Sequence, residues 1–312
     1  MKRHIRALQG AFNLLSNDGP LRVINEGRSY IQKSKWRAIH SFNGETDKGV
    51  NIFDRDWDLL IILDACRVDA IEEVADEYQF IDTVDTFTSL GSNSKEWLTR
   101  NFTSEFLDEI DETAYITGNP FSEKLLNKKD WFSVQEVWKT AWDSKEGTIH
   151  PRPITDCAIS ILRERRPERM ILHYMQPHTP FIGFDQSGHH DLNRWDKKGY
   201  IQKSEWEKLR DNEIDFDTVW SAYLDNLRYV LDDIEVLLNN IDAERVVISA
   251  DHGECAGEHG LYGHPGAIAV DELREVPWVV TTAEDTGEHI PKDYEGTSQV
   301  SRDDQLKHLG YK

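Results

Sequence analysis

Val246-Val247-Ile248-Ser249-Ala250-Asp251-His252-Gly253-Glu254 is an apolar, β-branched run that stops abruptly at an acid, an imidazole and a glycine. A buried parallel strand delivers polar groups to its carboxyl end in this way, where open α/β sheets place their sites. A carboxylate and a neutral imidazole side by side suit a divalent metal, because both are common ligands of such ions. Gly253 then allows a tight turn. The loop beyond, with Glu258-His259-Gly260 and Gly263-His264-Pro265-Gly266, is rich in the same residue types. A plain polar loop after a core strand is the bland alternative, and three histidines with five glycines in so short a span argue against it.

The pattern recurs upstream. Trp57-Asp58-Leu59-Leu60-Ile61-Ile62-Leu63-Asp64-Ala65-Cys66-Arg67-Val68-Asp69 has five apolar residues that again end in an acid, and a helix is expected from Val68 to Asp76. Arg67 and Asp69 can pair to fix the turn, and Cys66 reads as a core thiol. Phe80 to Thr88 reads as a strand, followed by the small-residue loop Ser89-Leu90-Gly91-Ser92-Asn93-Ser94. Ser94 stands before a helix-like stretch, so its hydroxyl can cap that helix or lie in the positive end of its dipole beside an anion site. Ala114–Thr117 and Arg169–Tyr174 read as further strands, and Thr155–Arg163 as a helix. Trp131, Trp138 and Trp142 read as core. Pro177-His178-Thr179-Pro180 is a rigid extended loop that holds one imidazole.

From Asp217 to Asn239, Tyr223, Leu227, Val230, Leu231, Ile234, Leu237 and Leu238 recur at helical spacing and give one apolar face. That helix feeds the Val246–Ala250 strand, a βαβ crossover with its expected right hand. Val276–Thr281 reads as a last strand and Gln305–Tyr311 as a terminal helix. Residues 1–54 read as an N-terminal segment of one or two short helices plus a linker. Residues 55–312 read as a three-layer α/β/α domain around a mostly parallel sheet, with a polar insertion near 184–212.

Composition narrows the partners. The 312 residues carry 57 acids against 36 bases, a net charge of −21. Nucleic acid is a poor partner for such a chain, since its binding needs clustered Lys and Arg. A high-salt cytoplasm, which screens self-repulsion, is one expected setting. The three cysteines are odd in number and far apart, which suits a reducing compartment. No run has transmembrane length, so a cytoplasmic protein is expected, with peripheral membrane contact through the amphipathic residues 1–34 as a further option.

Acid, imidazole and hydroxyl groups thus end separate strands at Asp64, Ser94, His178, and Asp251 with His252. On the Leu63–Asp69, Pro177–Pro180 and Ser249–Glu254 blocks, with Gly257-Glu258-His259-Gly260, Gly263-His264 and the tail Gln305–Tyr311, the chain resembles the alkaline phosphatase superfamily in its sulfatase-like branch. The resemblance spans roughly residues 55 to 312. It implies a central-sheet α/β fold, a metal held by Asp64, Ser94, Asp251 and His252, a nucleophile in the Ser89–Ser94 loop, and His178 and His264 as substrate contacts. Ser94 is the best match for the nucleophile, with Ser92 and Thr88 as alternatives.

The departures shape the expected chemistry. Ser94 is followed by Lys95-Glu96-Trp97 rather than the Pro and Arg that accompany formylglycine formation, and Ala65 stands where sulfatases carry a second acid. The expectation is therefore a hydrolase or transferase of phosphate or sulfate esters using one divalent ion (Mn, Mg, Ca or Zn) and a covalent hydroxyl intermediate. Phosphoglycerol and phosphoethanolamine transferases resemble that pattern, with Thr in place of Ser. Its substrate is a small anionic ester, with a glycan or lipid headgroup among the options. A rival of another class is a non-catalytic relative that binds an anionic glycan or lipid headgroup.

Overall fold

A computed structural model describes residues 20–44, 48–184, 203–294, 298 and 300–311. The first 19 residues and most of the expected insertion, including His189 and His190, lie outside the described residues. Seven strands form the main sheet: β1 (Leu59–Leu63), β2 (Asp85–Thr88), β3 (Thr113–Thr117), β4 (Ser133–Glu136), β5 (Arg169–Tyr174), β6 (Ala243–Ala250) and β7 (Glu275–Ala283). Their spatial order is β2-β7-β6-β1-β5-β3-β4. Neighbours run parallel except at β7, which is antiparallel to β6 and to β2. The mostly parallel α/β sheet expected from the sequence is present.

The helices that matter to the site are α1 (Pro20–Asn43), α2 (Val68–Val74), α3 (Ser94–Asn101), α4 (Arg152–Glu164), α5 (Phe216–Leu238) and α6 (Arg302–His308). Two consecutive residues of β5 show that they form two layers. His173 meets the Trp97 ring of α3 at 5.5 Å between centroids, whereas the Tyr174 hydroxyl bonds Thr155 of α4 at 2.9 Å. Successive strand residues point to opposite faces, so α3 and α4 cover opposite sides of the sheet. All five residues of β1 are buried because the strand is paired on both edges and covered on both faces.

Register sets up the site. Leu63 lies opposite Tyr174 of β5 and Ala250 of β6. Asp64 and Asp251, each one residue further on, therefore leave the sheet side by side. Helix α5 then fixes the loops beyond those strands. Its apolar face is buried along Leu227, Val230, Leu231 and Ile234. From that face the Tyr223 hydroxyl donates to Ala65 O at 2.7 Å and accepts from Arg67 N at 3.0 Å. One turn on, Asn226 Nδ2 donates to Pro177 O and His178 O, each at 3.2 Å. One helix thus clamps the turn after β1 and the histidine loop after β5.

Several expectations about element boundaries are corrected. The expected strand from Phe80 is confined to Asp85–Thr88, the residues that face Glu275–Trp278 of β7. The helix expected to reach Asp76 ends at Val74 and passes into a 3-10 turn over Ala75–Glu77. Among the described residues of the N-terminal segment, one helix of 24 residues runs from Pro20 to Asn43. It persists through Gly27 because it is docked: Gln32 Nε2 and Trp36 Nε1 donate to His259 O at 2.5 and 3.3 Å, and Arg37 Nε to Gly266 O at 2.8 Å. Tyr30, Ile31 and Phe42 of this helix are exposed. Among the described residues no helix is long and apolar enough to cross a membrane.

Candidate active site

Asp64, Asp251 and His252 are fully buried at the carboxyl ends of β1 and β6, with ligand atoms all within 4.8 Å of one another. His252 Nδ1 lies 2.8 Å from Gly253 O. A carbonyl only accepts, so Nδ1 carries a proton and Nε2 turns inward, as in histidines that bind metals through one nitrogen. Nε2 sits 3.5 Å from Asp64 Oδ1 and 3.4 Å from Asp251 Oδ2. Asp64 Oδ1 and Asp251 Oδ2 have no hydrogen-bond partner, and neither does the adjacent His173 Nε2. Buried polar atoms left unpaired are costly, and a nitrogen lone pair facing two carboxylate oxygens is repulsive unless a positive centre lies between them. The donor set fits a divalent cation.

The remaining carboxylate oxygens are tied down. Asp251 Oδ1 accepts from Ala65 N at 3.1 Å and His252 N at 2.9 Å, and Asp64 Oδ2 from Asn119 Nδ2 at 3.0 Å. Ala65 adopts a left-handed backbone, φ 61°, immediately after Asp64. Such a conformation is costly for a residue with a Cβ, and here it turns the Ala65 N–H onto Asp251. Gly253 is required on steric grounds: a Cβ there would lie 2.2 Å from Glu272 O.

The Ser94 hydroxyl is seated at this group. Its Oγ lies 3.2 Å from Asp64 Oδ2, 3.4 Å from His252 Nε2 and 3.1 Å from the Tyr311 hydroxyl. Ser94 does not cap α3. Asn93 does, accepting from Glu96 N at 2.9 Å, so Ser94 becomes the first helical residue, in the positive end of the dipole, with its hydroxyl released to the site. The loop before it is locked to the Asp251 turn by Ser89 Oγ, which donates to Asp251 O at 2.5 Å. Ser92 and Thr88 are engaged elsewhere, with Glu96 at 2.9 Å and Glu275 at 2.7 Å respectively.

His178 and His264 lie beside the group, and His264 lines the cavity next to it. The His178 ring lies 4.9 Å from that of His264, which lies 4.7 Å from that of His252. His178 Nδ1 bonds Thr179 O, and its Nε2 has no hydrogen-bond partner. The peptide bonds before Pro177 and Pro180 are cis. Burial lowers the pKa of His178. Burial acts the same way on His264, but Glu254, 3.1 Å from Nδ1, outweighs it and raises the pKa. The structure thus brings together Asp64, Ser94, His178, Asp251, His252 and His264.

Four further residues belong to the site. His173 stands behind the two acids at 3.7 and 3.6 Å, its Nδ1 held by the Tyr115 hydroxyl at 2.8 Å. Burial alone would depress its pKa, but Tyr115, Asp251 and Asp64 push it well above the usual histidine value. Asn119 ends β3 as Asp64 ends β1, and the strand-end rule that singled out the acids would have found it. Tyr311 comes from the tail and stacks on His178 at 5.8 Å. No local signal marks His173, Tyr115 or Tyr311, since each depends on a partner far away in sequence. Arg67 does pair with Asp69, at 2.8 and 2.7 Å, and also reaches Glu258 at 2.7 Å across to the histidine loop.

No family model and no curated protein matches the chain. Solved structures do. The soluble domain of lipooligosaccharide phosphoethanolamine transferase A from Neisseria meningitidis is 16% identical, with 76% of this chain and 79% of that one covered and a TM-score of 0.47. The C-terminal periplasmic domain of EptC from Escherichia coli, solved as a complex with Zn, is 12% identical, with 79% of each chain covered and a TM-score of 0.45. A protein solved with its substrate D-glucosamine-2-N,6-O-disulfate is 13% identical, with 73% and 71% covered and a TM-score of 0.49. The structural neighbours of this chain are alkaline phosphatase superfamily members, phosphoethanolamine transferases and sulfatases among them, at low identity.

Proposed function

We propose that the chain is a metal-dependent hydrolase or transferase of phosphate or sulfate esters that forms a covalent intermediate on Ser94. The observation that carries this reading is the Ser94 hydroxyl, first residue of α3, seated 3.2 and 3.4 Å from two members of a buried carboxylate–imidazole group. Asp64, Asp251 and His252, with the Ser94 hydroxyl, would hold the ion. Such an ion lowers the pKa of a bound hydroxyl and neutralises ester oxygens.

The residues supply the rest. Asp64 Oδ2 accepts the hydroxyl proton of Ser94 and aims Oγ at the phosphorus or sulfur. As the Oγ bond forms, the bond to the leaving oxygen breaks. His264, held by Glu254, stands beside the group to give that oxygen a proton, and the unpartnered His178 Nε2 faces the equatorial oxygens. Water or an acceptor alcohol then attacks the Ser94 ester and restores the hydroxyl. Burial of the two acids keeps bulk water from competing with these contacts.

The test is a screen of aryl phosphate, phosphodiester and sulfate esters with Mn, Mg, Ca and Zn, wild type against Ser94→Ala. Turnover that vanishes in Ser94→Ala, while wild-type enzyme trapped at low pH carries its added mass on the Ser94 peptide, supports the reading. Full activity in Ser94→Ala removes it. Tight binding of anions with no turnover of any ester favours the non-catalytic rival.

A further inference from the structure

Helix α1 holds the body of the protein by one face and leaves the opposite face exposed among the described residues. Asn25 Nδ2 donates to Asp211 Oδ1 at 3.0 Å, His40 Nδ1 accepts from Ala269 N at 2.9 Å, and Gln32 and Trp36 bond the histidine loop from the same side. About half a revolution away stand Ile24, Arg28, Ile31, Lys35, Ala38 and Phe42. Their spacing alternates between four and three residues, which keeps them in one stripe along the axis. All six are exposed, Ile31 by 68% and Phe42 by 92%. Of the eleven large hydrophobic residues exposed among the described residues, five stand on this one helix. Its one acid, Glu26, faces the body, where Arg210 Nη2 donates to it at 2.9 Å.

The stripe is apolar and basic in a chain that is otherwise acidic. Residues 1–43 carry eight Lys and Arg against two acids, a charge of +6, which leaves 28 bases against 55 acids, −27, for the rest. Exposed apolar side chains with Arg and Lys among them are what an interfacial helix offers a lipid surface. The apolar groups enter the boundary between headgroups and acyl chains, and the long basic side chains reach back to the phosphates. A surface in physiological salt feels charges only within about 10 Å, so the local stripe and not the net charge decides the attraction. Two other covers fit less well. Residues 1–19 bring Lys2, Arg3 and Arg6 against one acid, and a second copy docked stripe to stripe sets Arg28 and Lys35 against their own counterparts, so like charges meet in both. We propose that α1 seats the protein on an anionic lipid surface through the stripe from Ile24 to Phe42. The other face of the helix is bonded to His259 and Gly266, on either side of His264, so the lipid lies one helix diameter, about 10 Å, from that loop. Such seating is independent of the reaction proposed above.

Vesicle flotation of the full chain reads this directly, at the lowest salt in which melting curves show folded protein. Vesicles of phosphatidylglycerol and phosphatidylcholine in equal parts are compared with phosphatidylcholine alone, for wild type, Ile31→Ser/Phe42→Ser and Arg28→Gln/Lys35→Gln. Each Lys or Arg near an anionic surface contributes about fivefold in affinity, so wild type should prefer the anionic vesicles by at least about twentyfold. The Gln pair should reduce that preference by about twentyfold. The Ser pair should weaken binding to the anionic vesicles by at least about tenfold, through lost apolar burial. These positions lie opposite the docked face, so melting temperatures should be unchanged, and Ile24→Ser gives a second reading of the stripe. No flotation of wild type, or flotation unchanged in both pairs, overturns the seating. So does a wild type that is dimeric in analytical ultracentrifugation without vesicles and monomeric in the Ser pair, because the stripe then lies between copies.

Discussion

Replacing Asp251 with Asn removes one ligand charge while keeping the local structure, and its effect on metal binding can be sized in advance. Asp251 Oδ1 accepts two backbone N–H groups, from Ala65 and His252. An amide oxygen can accept the same two, which leaves the amide nitrogen in place of Oδ2, 3.4 Å from His252 Nε2. The fold is kept and an ion held there would lose a carboxylate ligand. A ligand present at a hundred times its Kd stabilises the state that binds it by about 2.7 kcal/mol. Unfolding entropy near 2.1 cal/mol/K per residue gives about 0.66 kcal/mol/K for 312 residues, so the expected rise in Tm is about 4 °C. If the variant binds on the order of a hundredfold more weakly, the same metal concentration equals its Kd and stabilises it by about 0.4 kcal/mol, less than about 1 °C. The assay is thermal melting of wild type and Asp251→Asn, each stripped with chelator and then reloaded with Mn, Mg, Ca or Zn in turn. A variant that keeps the full shift, or a wild type that gains none with any of the four, refutes the assignment of the buried group as a metal site.

Two further outcomes rest on particular contacts. Tyr311→Phe removes the hydroxyl 3.1 Å from Ser94 Oγ and should lower kcat/KM by up to about tenfold, the worth of one neutral hydrogen bond, with the melting temperature of the metal-loaded protein little changed; steady-state kinetics that show no loss would exclude the tail from the reaction. Burial pushes the Cys157 thiol up from its ordinary 9.0 to about 11, and Cys66 and Cys255 upward as well. The folded state therefore holds protons that the unfolded state releases, so stability from this source is complete below pH 9 and declines as pH rises from about 9 to 11. Native protein at pH 8 should react slowly with a disulfide reagent and release three thiols only after unfolding; rapid reaction of the native chain would contradict the burial.

Much of the site was legible because it is written at strand ends. Five apolar residues before Asp64 and the β-branched run before Asp251 announce buried parallel strands, and such strands deliver the residues after them to one edge of a sheet. The resemblance then singled out Ser94 in a loop of several hydroxyls. Local rules failed where two functions compete for one residue type. A Ser before a helix reads as its cap, and only the tertiary structure shows Asn93 taking that role at 2.9 Å from Glu96 N. Boundaries failed where pairing decides them: β2 is only as long as the part of β7 that faces it.

Strand and helix periodicity, and the acids and imidazoles placed where strands stop, are set by the residues in order along the chain. Which of those groups share a site is not, because it depends on register and docking between distant segments. Leu63 opposite both Tyr174 and Ala250 puts Asp64 next to Asp251. His173 joins them because β5 neighbours β1, and Tyr311 because the tail crosses the mouth of the site. Gln32, Trp36 and Arg37 reach the histidine loop only through tertiary docking, in bonds that span more than 220 residues. Contacts of that separation leave no mark on local spacing. They exist only once the sheet has set the strand order and the helices have packed on it.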